Sequence, residues 1–223
     1  MSYRLDFSGI AAYTPELVKG VALTVQLIAV GAVLGVVLGI VCAWVRTQGP
    51  GWLRPVVSGY IELIRNSPFL VQLFFIFFGL PSLGVHLGET FAAQLAMIVN
   101  LGAYSAEIIR AGIQATPRGQ YEAAASLGMT RLQAFHQVVL IPSLQRIWPA
   151  LSSQIVIVML GSSVVSQIAV EDLAYAASLI QSRSFRAFET YLVSTLIYLV
   201  LSVLLRQVLR GIGWGLFPRR IAR

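Results

Sequence analysis

At 223 residues, the chain is 57% hydrophobic and only 11% charged, whereas soluble domains carry about a quarter charged residues. That balance excludes an ordinary water-facing globule. The net charge of +7 does not form a nucleic-acid stripe either, because the basic residues are scattered between apolar runs. The one cysteine, Cys42, lies inside such a run, which excludes an intrachain disulfide and a cysteine metal cluster.

Residues 1–19 contain Asp6, Pro15 and Glu16 and lack the basic start and short apolar core of a secretory signal, so they are predicted as an exposed tail. Five charge-free runs follow, at 20–45, 66–85, 90–106, 147–170 and 190–205. A helix needs roughly 20 apolar residues to cross about 30 Å of hydrocarbon. The first, second and fourth runs meet that length directly. The third does so if Glu107 and Arg110 sit on a helix continuing to Ile113, and the fifth if Arg206 snorkels to an interface. The expectation is an all-α membrane protein of five transmembrane helices, with residues 1–223 as one membrane domain. In the first span, Gly31, Gly35 and Gly39 recur every fourth residue, a flat ridge on which another helix can pack closely.

Five crossings place the ends on opposite sides. Arg46 and Arg54 follow the first span, Arg65 opens the second, and Arg110, Arg118, Arg131 and Arg146 flank the connection after the third. Arg206, Arg210, Arg219, Arg220 and Arg223 close the chain as a basic tail over 206–223. The other side receives fewer basic residues, so the positive-inside rule puts the N-terminus outside and the C-terminus in the cytoplasm.

The connection over 114–146 is too polar for a sixth span and too patterned for disorder. Residues 119–128 read as a short helix stopped by Gly128. Thr130 and Gln133 then fit a capping box, and Leu132, Phe135 and Val139 fit one face of a second helix. Tyr121, Ala124 and Ala125 share a face of the first helix, predicted to dock in a groove of a partner.

Glu122-Ala123-Ala124, Gly128 four residues on, and Val138-Val139-Leu140-Ile141-Pro142 with Pro149 beyond resemble the "EAA loop" of ABC importer permeases. The stretch Arg65-Asn66-Ser67-Pro68-Phe69-Leu70-Val71-Gln72-Leu73, with 78–81 and 103–113, is similar to the polar amino acid branch of that family. Ile141 before Pro142, and Phe69 where leucine is common, depart from the pattern.

This resemblance implies a type I ABC importer permease fold, like that of methionine importers, in the bacterial inner membrane. It implies a coupling helix at Glu122, Ala123, Ala124 and Gly128 that fits a cleft of a cytoplasmic ATPase. The implied partners are two ABC ATPase subunits, a second permease chain, identical or homologous, and a periplasmic or lipid-anchored amino-acid-binding protein. ATP and Mg would be bound by the ATPase, with no cofactor in this chain and no chemistry of its own. The sole lysine, Lys19, is followed by Gly20, so no phosphate-binding G-x-x-x-x-G-K-[ST] loop exists here.

Polar residues in mid-span are the candidates for a substrate path: Gln72, Asn100, Tyr104, Ser162, Ser163 and Gln167. Bonding to a neighbouring helix is the alternative use of each. Glu62 with Arg65 and Glu107 with Arg110 are spaced as i,i+3 ion pairs. His86 and His136 fall in separate connections and form no metal pair. A secondary transporter or channel would call for inverted repeats or a midplane ionisable relay, and a non-transporting scaffold would tolerate changes at Glu122 or Gly128.

Overall fold

The computed structural model describes residues 5–217, which form helices joined by short turns, with no strand among them. A short helix α1 (Ser8–Ala11) precedes α2 (Thr14–Gln48). Helix α2 opens with Pro15 and Glu16 in its first turn and ends with Arg46 in its last, the polarity that the helix dipole favours. Its 35 residues run about 52 Å, well beyond the hydrocarbon.

The second crossing is a broken one. Helices α3 (Leu53–Arg65) and α4 (Phe69–Leu83) meet at 114°. Pro68 forces the preceding residue out of helical geometry. Asn66 Nδ2 and Ser67 Oγ donate to the carbonyls of Glu62 and Leu63, each at 2.8 Å, and so close the end of α3. Helix α4 alone is about 22 Å long, so the predicted uninterrupted span over 66–85 gives way to a bent pair.

Helix α5 (Glu89–Gln114) continues past Glu107 and Arg110, as expected. Then come α6 (Arg118–Ser126), the long α7 (Arg131–Ile168), α8 (Leu173–Ser184) and α9 (Ala187–Leu216). Four helices, α2, α5, α7 and α9, are long and apolar enough to cross a bilayer, and a fifth crossing is reached where the bent α3–α4 pair counts as one span. Two π turns interrupt these crossings, at Phe75–Gly79 and Ala134–Leu140. Each ends two residues before a proline, Pro81 and Pro142. A proline cannot donate to the carbonyl four residues back, and a widened turn absorbs the defect.

The core forms where α2 lies along α5. A Cβ on Gly35 would fall 2.9 Å from that of Leu101, and one on Gly39 would fall 2.5 Å from that of Ser105. The glycine ridge thus has the packing role expected of it. Leu27, Met97, Leu101, Leu151, Ile155 and Met159 fill the space between α2, α5 and α7.

The N-terminal segment departs from the sequence expectation. Residues 1–19 are not a free tail in their described part: Ile10 and Leu17 are buried against Leu173, Ala176 and Ile180 of α8. The connection after the fourth span is itself structured, with α8 burying Leu173, Ala176, Ala177 and Ile180 on one face. At the chain end, 206–216 continue α9 as helix. Arg219, Arg220 and Arg223 lie outside the described residues.

Candidate functional site

The segment over 114–146 is built into the bundle at its root. Ser143 Oγ donates to the Gly112 carbonyl at 3.0 Å, and Arg146 Nη1 donates to the Ala115 carbonyl at 3.2 Å. Pro117, extended, then starts α6. The helix ends in a Schellman arrangement: the Met129 N–H donates to Ala124 O at 3.1 Å and the Gly128 N–H to Ala125 O at 3.0 Å. Gly128 has φ +70°, the left-handed conformation that glycine adopts without a Cβ penalty. The capping box after it is present in both directions, with Gln133 N–H donating to Thr130 Oγ1 and Thr130 N–H to Gln133 Oε1.

The faces of this segment differ from the sequence reading. Ala124 is 2% exposed, and Tyr121 on the same side of α6 packs inward towards Phe135 and Val139 of α7 and the ends of α2 and α5. A small residue there lets α6 lie close on its own chain, and Ala124 is covered by that chain itself. The outward side chains are Glu122, Ala123, Ala125 and Leu127. Leu132 also points out, because the π turn that follows shifts the register after the first turn of α7. Leu127 and Leu132 are 80% and 68% exposed on either side of the Gly128 turn. Sequence reasoning missed this apolar pair, although two leucines bracketing a glycine turn were there to be seen.

At the same rim, Glu107 pairs with Arg110, as its spacing implied, and also with Arg46 at 2.7 Å across α2 and α5. Glu62 and Arg65 form no such ion pair among the described residues. The Arg65 guanidinium lies instead over the Tyr104 ring, 5.7 Å from its centroid.

The mid-span candidates do not form one cluster. Gln72 and Asn100 are buried together: Asn100 Nδ2 donates to Gln72 Oε1 at 2.9 Å, and Gln72 Nε2 donates to the carbonyls of Ile64 at 2.7 Å and Ser67 at 3.0 Å. They fasten the α3–α4 break to α5. Tyr104 stands beside that break, half-buried, with its hydroxyl 3.5 Å from the Arg65 carbonyl. Ser162 and Ser163 donate to the Met159 and Leu160 carbonyls at 2.7 and 2.9 Å, folding back on their own helix. Gln167 is exposed in the 3₁₀ turn that ends α7. His86 and His136 are both exposed and no metal-holding group occurs among the described residues.

At the opposite rim, sequence reasoning passed over two buried carboxyls. Asp172, fully buried, caps α8 by accepting the Tyr175 N–H at 2.9 Å and accepts from the Tyr198 hydroxyl at 3.3 Å. Burial pushes its carboxyl up to about 6, against the lowering effect of those two bonds. Glu189, also fully buried, accepts the Asp6 N–H at 3.1 Å and an Arg186 guanidinium N–H at 3.4 Å, which ties the N-terminal segment to α9. Phe185, in the turn between α8 and α9, has φ +56° and is 89% exposed.

Comparison with known proteins agrees with this architecture. The chain is similar to the glutamine transport system permease GlnP of Escherichia coli (strain K12), 32% identical over 210 residues, covering 93% of this chain and 95% of that protein. A crystal structure of an amino acid ABC transporter matches with a TM-score of 0.84 at 36% identity, over 95% of this chain and 99% of that one. An inward-facing MetNI methionine ABC transporter structure matches with a TM-score of 0.76 at 20% identity, over 91% of this chain and 97% of that one, a likeness of fold. Residues 35–213 match the family described as binding-protein-dependent transport system inner membrane component, and the chain belongs to that family.

Proposed function

We propose that this chain is the membrane-spanning subunit of an ATP-binding-cassette importer for a polar amino acid, and that α6 with the Gly128 turn is where a separate ATPase drives it. The observation that carries this reading is the projecting turn with Leu127 and Leu132 exposed at its tip and α6 seated on the ends of α2, α5 and α7. A push on that turn is passed to three crossings at once. The π turn at Ala134–Leu140 gives α7 a place to adjust. ATP and Mg belong to the ATPase in this reading, and the chain performs no covalent chemistry.

The same reading puts the α6 rim in the cytoplasm and the α8 rim outside. It is supported by the gathering of Arg46, Arg110, Arg118 and Arg146 around α6. Exposed Phe185 on the α8 rim then offers a contact to a solute-binding protein. A second permease chain, identical or homologous, completes the path, with Gln167 and Tyr104 as its polar candidates. Alternating access is a shift between two packings that ATP and the loaded binding protein stabilise differently.

Cross-linking in the assembled transporter tests the docking. A cysteine at Leu127 is expected to capture the ATPase and one at Ala124 to give little product. Capture of the ATPase from His86 instead would overturn both the orientation and the coupling role. Uptake of a labelled polar amino acid by proteoliposomes carrying the complex tests the cargo; ATP-independent uptake would sink the reading.

A further inference from the structure

Beside α6 lies a cavity of about 580 Å³ whose walls bring together four arginines: Arg46 of α2, Arg54 of α3, Arg110 of α5 and Arg118 of α6. Hydroxyls from Ser58 and Thr116 also line it. One carboxylate answers these charges, Glu107, which is taken up by Arg46 and Arg110. Arg54 donates its Nε to the Gly49 carbonyl at 3.1 Å, and neither Arg54 nor Arg118 has a carboxylate partner among the described residues. With Glu107 shared by Arg46 and Arg110, the concavity keeps a net positive charge that attracts an anion. Guanidinium forks and hydroxyls match the oxygens of a phosphate group. The helices α3 and α6 both begin at this cavity without a side-chain cap, so their N-terminal dipoles add to the attraction.

The setting indicates where the phosphate comes from. Helix α3 is two-faced: Trp52, Val56 and Leu63 share an exposed apolar side, while Arg54 and Ser58 lie on the side of the cavity. Its axis turns by 114° from that of α4, so the two do not form one straight crossing. A short helix with tryptophan and aliphatic residues outward and arginine inward suits the membrane interface, at headgroup depth. We infer that this cavity binds the phosphate headgroup of an anionic phospholipid, clamped between Arg54 and Arg118 at the root of the coupling segment. The inference goes beyond the transport reading and does not depend on which solute is carried.

Lipid retention by the complete transporter, purified in detergent and offered equal phosphatidylglycerol and phosphatidylcholine, tests this by native mass spectrometry. The wild-type complex is expected to keep phosphatidylglycerol selectively. The double variant Arg54→Gln/Arg118→Gln should lose that excess by about tenfold, and Arg210→Gln, outside the cavity, should keep it. The charge-preserving pair Arg54→Lys/Arg118→Lys, the safer folder, should retain part of it because a lysine cannot make the forked contact. Equal retention by wild type and the glutamine pair overturns the site. Saturable binding of radiolabelled inorganic phosphate to the lipid-free complex, with no lipid selectivity, overturns the lipid as its source. Selective retention by the permease alone that vanishes in the assembled complex assigns the cavity to an ATPase contact and overturns the proposal as well.

Discussion

Asn100 of α5 donates its amide to the side-chain carbonyl of Gln72 in α4, and Gln72 spends its own amide on the carbonyls left open by the bend after α3. One bonded chain therefore holds the break in the second crossing against the third. Asn100→Leu leaves one buried acceptor unsatisfied, a cost of about 1–3 kcal/mol. Gln72→Leu strands more groups and should cost more. Thermal midpoints in detergent are expected to fall in that order, with substrate affinity of the surviving protein unchanged. Altered affinity at unchanged stability would return both residues to the substrate path.

At Gly39, a methyl group would meet Ser105 Cβ at 2.5 Å and the Ala106 backbone nitrogen at 3.0 Å. Gly39→Ala should force α2 from α5 and destabilise by about 1–3 kcal/mol. Gly161→Ala, where nothing lies within 4 Å, should be neutral or gain up to about 1 kcal/mol. Equal midpoints for the two variants would contradict the close approach.

Gly128 has open space around it, so its constraint is purely the φ of +70°. Gly128→Val is expected to cost about 1–2 kcal/mol locally and to disorder the turn between Leu127 and Leu132. ATP hydrolysis by the complex should then persist while uptake falls. Gly128→Asn, which tolerates the left-handed region, should retain most coupling. Uptake coupled normally in the valine variant would count against the turn as the point of force transfer.

Asp172 predicts a pH dependence of stability. Its carboxyl is raised from 3.8 to about 6 by burial, so folding favours the protonated form. The associated stability is complete below about pH 4 and is lost as pH rises through about 6. Asp172→Asn keeps an acceptor for the Tyr175 N–H and removes the charge. Its stability should exceed that of the wild type at pH 8 by on the order of a few kcal/mol, read as a higher thermal midpoint, and approach it at pH 4. A larger advantage at pH 4 would reverse the assignment.

The crossings were legible because charge is so expensive in hydrocarbon that five clean runs mark them, and the glycine ridge, the Gly128 stop and the capping box each rest on local rules. What sequence alone left hidden was direction. Tyr121 and Ala124 share a face under either reading, and only the packing of Tyr121 beside Phe135 and Val139 and the burial of Ala124 show that this face turns inward. Gln72 and Asn100 are 28 positions apart and their pairing is tertiary. The burial of α8 was signalled by Leu173, Ala176, Ala177 and Ile180 at helical spacing, in a segment whose ends carry charge at Asp172, Arg183 and Arg186. The bend at Pro68 was also announced, by Asn66-Ser67-Pro68, and was outweighed by the length of the apolar run.

The glycine seam has a mechanical corollary. With no slack between them, α2 and α5 cannot slide independently and behave as a single strut longer than the hydrocarbon is thick. The chain leaves α5 at Gln114 and turns within a few residues into α6, so the strut ends on the crank that turns it. The compliant parts lie elsewhere, at the two proline-linked π turns. Any gate in this subunit is therefore expected to open by bending α4 and α7 against a fixed pair, with the strut setting the pivot.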